Sequence, residues 1–144
     1  MLKSFSTVVL LVACASISAQ VINPDVTQSN IQQTICQPGW TKTVRPSTSY
    51  TNRIKRDLAP GEDISLYELD HIISIELGGH PKDPDNLWMQ PWDGECGARV
   101  KDVLETKLKR LVCSGKISLK QAQKEIGSNW VASYSKHIKP LTCD

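Results

Sequence analysis

The sequence predicts a single α+β domain, and three observations carry that expectation. Polarity alternates around Leu69, then an aliphatic pair leads into a loop rich in glycine and proline, and residues 86–91 read as a second short strand. After it, Val100, Val103, Leu104, Leu108 and Leu111 fall on one stripe at helical spacing. Cys36, Cys96, Cys113 and Cys143 read as two disulfides in a small exported chain. The expected plan is strand, long loop, strand, helix: a ββα core over about residues 66–113, with flanking helices. At 144 residues there is room for one such core and no second.

Residues 1–19 have the layout of a secretory signal. Lys3 precedes a short apolar run, and small residues end at Ala19. The run is too short to cross a bilayer, and no later stretch reads as a membrane span. Leu11-Val12-Ala13-Cys14 is the rival signal, a lipobox that would place a lipid anchor on Cys14. The expected location is therefore secreted or periplasmic, with attachment to the cell envelope as the alternative.

Residues 20–35 are polar without a sustained period and are expected to be a flexible segment. Cys36-Gln37-Pro38-Gly39-Trp40 signals a turn. Residues 41–50, rich in Thr and Ser and interrupted by Pro46, should be extended or irregular. A short helix is expected over 51–58, ended by Ala59-Pro60-Gly61. Gly115 should end the long helix over 98–112. Ser118 and Gln121 then fit a capping box for a second helix, whose stripe of Leu119, Ala122 and Ile126 stops at Gly127.

That long helix also constrains the cysteines. Cys96 and Cys113 flank it and would sit about 20–25 Å apart, far beyond the ~7 Å that a bridge allows between Cα atoms. Cys36–Cys113 with Cys96–Cys143 is favoured, and Cys36–Cys96 with Cys113–Cys143 passes the same test. A four-cysteine zinc site is weak, because no C-x-x-C pair occurs.

Charge excludes a strongly basic nucleic-acid binder. Seventeen basic and fifteen acidic residues give +2, and loss of the first 19 residues leaves about +1. Contact with nucleic acid must then come from a local patch and weaken with salt.

Leu69-Asp70-His71-Ile72-Ile73, Glu76-Leu77-Gly78-Gly79 and Asn86-Leu87-Trp88 resemble the HNH (His-Me finger) nuclease motif. Residues 99–105 and 112–115 resemble its continuation in small exported HNH-like proteins, so the likeness covers roughly residues 36–132. It implies a ββα-metal core and a metal-dependent endonuclease that hydrolyses phosphodiester bonds of nucleic acid, DNA before RNA. The implied cofactor is a divalent cation, Mg2+ first and Mn2+ next. His71, with a pKa near working pH, suits the general base. Asp70 offers the hard oxygen that such a cation prefers, and Asn86 would pin the loop and orient His71. Strand neighbours face opposite sides, so Asp70 and His71 share one phosphate only if the backbone leaves strand geometry there.

The closing helix departs from the family pattern. It usually offers a His or Asn as a further ligand, whereas here the choices are Glu95, Lys101, Asp102 and Glu105. Lys101 and Glu105 lie at the edge of the apolar stripe and are the expected assisting pair. Glu105 would be the metal ligand, and Lys101, with Arg99, would hold nucleic acid. Blander explanations stand beside these. Asp70-His71 could be a buried structural pair, Asn86 an ordinary turn residue, His80 a solvated loop residue and the tryptophans core or rim. The functional rival is an exported binding protein that keeps the fold without catalysis.

Overall fold

In the computed structural model, residues 21–143 are described; the expected signal segment and Cys14 lie outside them. Strand β1 (Tyr67–His71) pairs antiparallel with β2 (Leu87–Pro91), setting Asp70 opposite Trp88 and His71 opposite Leu87. Among the described residues four α-helices complete the α+β domain: α1 (Trp40–Val44), α2 (Thr48–Leu58), α3 (Ala98–Cys113) and α4 (Leu119–His137). The sheet is therefore followed directly by α3, with α2 against β1 and α4 against α3. Among the described residues no helix is long and apolar enough to cross a membrane.

The core lies between α3, α4 and the segment after β1. Leu104, Leu108 and Val112 meet Leu119, Ala122, Ile126 and Tyr134, with Ile73 and Leu77 closing one side. Truncating a leucine as enclosed as Leu104 or Leu108 costs about 2–5 kcal/mol. The same core contains Val26, Ile31 and Ile35, which corrects the expectation of a flexible segment over 20–35. These three enter from successive turns, a spacing that matches neither helix nor strand, so periodicity could not reveal them.

Other boundaries shift for local reasons. Part of the stretch expected to be irregular is helical: α1 occupies 40–44, and α2 starts at Thr48 because Ser47 accepts from the Tyr50 amide. Ser118 caps α4 through the Gln121 amide, but the Gln121 side chain turns to Glu125, so half of the expected box forms. Gly127 does not stop α4. It lets the helix approach Ile73, where a Cβ would come within 3.1 Å of the side chain. The break falls at Asn129, whose extended backbone and carboxamide, accepting from the Ala132 amide at 2.9 Å, start the next helical segment.

Both disulfides follow the favoured pairing. Cys36–Cys113 and Cys96–Cys143 hold Cα atoms 5.7 and 5.6 Å apart, one clasp at the end of α3 and one just before its start.

Candidate functional site

The buried face of α3 determines what surrounds β1. The apolar stripe expected through Val100, Val103 and Leu111 is rotated: Val103 is exposed, and Ala98, Lys101, Leu104, Glu105, Leu108 and Val112 face inward. Lys101 thus sits within the buried face rather than at its edge, with 1 % of its surface exposed. Burying an ammonium is unfavourable unless all its donors are met. They are met: Lys101 Nζ donates to Asp70 Oδ2 at 2.8 Å, to the His71 carbonyl at 2.8 Å and to Glu105 Oε1 at 2.6 Å. Ser74 donates to the other Glu105 oxygen at 2.6 Å. Burial pulls the Lys101 pKa down, but Glu105 and Asp70 outweigh it and hold it above the ordinary range. Burial pushes Glu105 up to about 7 against the pull of Lys101, so the ammonium is the fixed charge of this cluster.

His71 belongs to the other side of the strand. β1 keeps regular pairing through residue 71, so Asp70 turns to α3 while His71 turns towards α2. Their polar atoms are engaged separately, Asp70 by the Lys101 ammonium and the His71 ring by the Pro81 carbonyl, although the Asp70 carboxylate still acts on the ring. His71 is 7 % exposed, and its Nε2 lies 3.1 Å from the Pro81 carbonyl. A carbonyl only accepts, so Nε2 carries the proton in the neutral ring and Nδ1 keeps the lone pair. Burial lowers the His71 pKa against the opposing pull of that carbonyl, favouring the neutral ring. His71 lines an open cavity of about 240 Å³ with Arg45, Thr48, Thr51, Asn52, Glu68 and Trp92 among its other walls.

Asn86 fixes the loop that carries the Pro81 carbonyl. Fully buried, it accepts from the Ile73 amide at 2.8 Å and donates to the carbonyls of Ile73 and His80, both at 3.0 Å. Its own carbonyl accepts from the Ile72 amide at 2.9 Å. Gly79 is required for this closure, since a Cβ there would fall 1.7 Å from the Ile73 carbonyl oxygen. His80 also shapes the loop, its Nδ1 accepting from the amides of Lys82 and Asp83.

The residues expected to bind nucleic acid are placed differently. Lys101 is enclosed with every donor used and cannot grip a phosphate. Arg99 is exposed, pairs with Asp93 and lies over the Trp92 ring at the cavity wall. The expected divalent cation does not fit between Asp70 and Glu105 as they stand, because the Lys101 ammonium fills the space between their oxygens. Among the described residues no group of three or more His, Cys, Asp and Glu side chains converges as a ligand set.

Arg45, Glu68, Ser74 and Pro81 were not identified from sequence. Glu68 alone carried a signal, since strand alternation sets it on the Asp70 side. Burial, then the neighbouring Asp70, Asp102 and Glu105 charges, push its carboxyl up to about 7. Arg45 and Pro81 could not be found that way, as they reach His71 from separate loops. No family model, curated protein or solved structure matches the chain.

Proposed function

We propose that this chain is an HNH-type endonuclease that hydrolyses phosphodiester bonds of nucleic acid, DNA before RNA, outside the cytoplasm, with His71 as general base. The observation that carries this reading is the asymmetry of the His71 ring. Nε2 is held by the Pro81 carbonyl, whereas Nδ1 has no hydrogen-bond partner among the described residues and His71 borders an open cavity that Arg45, Thr48 and Asn52 also line. A neutral imidazole so fixed takes a proton from water at Nδ1. The resulting hydroxide attacks phosphorus, and the bond to the leaving sugar oxygen breaks; that oxygen takes a proton from water, and His71 returns its own to solvent. Arg45 at the cavity wall, with Thr48 and Asn52 beside it, meets the phosphate charge. Asn86 acts through the loop, keeping the Pro81 carbonyl where it orients the ring. The order of two strands and a helix, with His71 ending the first strand, supports the HNH reading.

The test is supercoiled plasmid incubated with purified mature protein or its His71→Ala variant, in EDTA and separately in Mn2+. The expected result is cleavage by the wild type and a loss of about 100-fold or more in the variant. Equal cleavage by both would sink the proposal. No cleavage by either would favour the second reading, an exported binding protein, which the enclosure of Lys101 also suits.

A further inference from the structure

Asp70 and Glu105, the pair expected to hold a divalent ion, already face a cation. The ammonium of Lys101 stands 2.8 Å from Asp70 Oδ2, 2.6 Å from Glu105 Oε1 and 2.8 Å from the His71 carbonyl oxygen. Calcium takes oxygen ligands at about 2.3–2.6 Å, so the cage around Nζ is only slightly wider than one built for a metal ion. Each oxygen is held from behind. Asp70 and His71 lie on paired strand, Glu105 lies on α3, and Ser74 donates to the Glu105 oxygen that Lys101 does not use. An ammonium has three protons and this one uses all three, so it is the cage's occupant rather than a passing neighbour.

We infer that the Lys101 ammonium stands in the place of a divalent ion, that this oxygen cage holds no resident metal, and that removing the lysine side chain would open it as a metal site. Lys101 is then a positioning residue. It ties α3 to the end of β1 and holds the backbone of His71 while touching no substrate. A dication entering the cage would have to displace a fully bonded ammonium from a dry site or sit against its charge, and both are unfavourable. Glu68 and Asp102 are the other carboxylates close enough to act on the cluster, and Arg45 the further cation; burial raises the pKa of both acids. The inference rests on the hydrolytic reading only where cleavage is the readout.

The exported chain with its disulfides intact is titrated with Mn2+, following the electron paramagnetic resonance of the free ion and the thermal midpoint. The wild type should leave both unchanged. Lys101→Ala should bind Mn2+ at least about tenfold more tightly than the wild type and gain thermal stability from it. Adding Asp70→Asn to that variant should abolish both effects. Wild-type Mn2+ binding that Asp70→Asn removes would overturn the inference, and this arm decides it even if Lys101→Ala does not fold. A folded Lys101→Ala protein that ignores Mn2+ would also overturn it. In the plasmid assay EDTA should change wild-type cleavage by less than about twofold, whereas loss in EDTA with recovery in Mn2+ would contradict the inference. Silence of the wild type in every plasmid condition counts against hydrolysis alone, and the Mn2+ titration still decides the cage.

Discussion

At Lys101 one ammonium lies between two carboxylates with almost no surface open to water. At Glu125 one carboxylate lies between the Lys136 ammonium and the His137 ring on α4, and the lysine is more than half exposed. The chemistry is the same, yet the carboxyl groups move in opposite directions. Burial pushes Glu105 up to about 7, with Asp70 adding to it and Lys101 opposing. At Glu125 burial also pushes upward, but hydrogen bonds from Lys136, Gln121 and His137 prevail and hold it at about 2. The difference comes from counting partners and water. Two acids sharing one enclosed cation cannot both be satisfied, whereas one acid with several donors near solvent is satisfied easily.

The largest effect is expected from Lys101→Met. It leaves two buried carboxylates without their cation and should cost about 3–5 kcal/mol in urea unfolding at neutral pH. A loss below about 1 kcal/mol would mean that water reaches the cluster and that it resembles the exposed one.

Glu68 beside the buried cluster tests the pH consequence. Its folded pKa is raised to about 7 from an ordinary 4.5, so its native state prefers the protonated carboxyl. Its favourable contribution is full below about pH 4.5 and is lost as pH rises through 7. Because Glu68 is only partly buried and water screens part of the shift, Glu68→Gln should gain no more than about 2 kcal/mol relative to the wild type between pH 4 and pH 8, as read from paired denaturation curves. A difference that does not vary with pH would refute the assignment.

The smallest effect belongs to Glu125. Its depressed pKa gives stability that is present above about 4.5 and lost as pH falls through about 2. Glu125→Gln should cost about 1 kcal/mol at pH 7, since its partners touch water, and salt should reduce that cost. A cost that persists unchanged at pH 2 would show that packing, not charge, holds the two parts of α4 together.

Sequence made the strands, α3 and the start of α4 legible, because each depends on local periodicity or a cap. It pointed to residues 70, 71, 86, 101 and 105 as one neighbourhood, but not to how they divide. A wheel drawn through Val100 and Val103 sets Lys101 at the edge. Tertiary packing turns α3 so that a charged residue takes a buried position, which hydrophobicity alone assigns to something apolar. Pairing through residue 71 then keeps Asp70 and His71 on opposite sides of β1. Contacts made over long separations, such as Arg45 and Pro81 around His71 or Val26 in the core, leave no periodic trace.

The two disulfides span overlapping stretches of chain, 36–113 and 96–143. Any single peptide bond cut between Cys36 and Cys143 falls inside at least one of those rings, so both pieces stay covalently joined. One proteolytic nick there would leave a molecule of unchanged mass apart from one added water. Shedding a fragment of that span takes a second scission or a reductant.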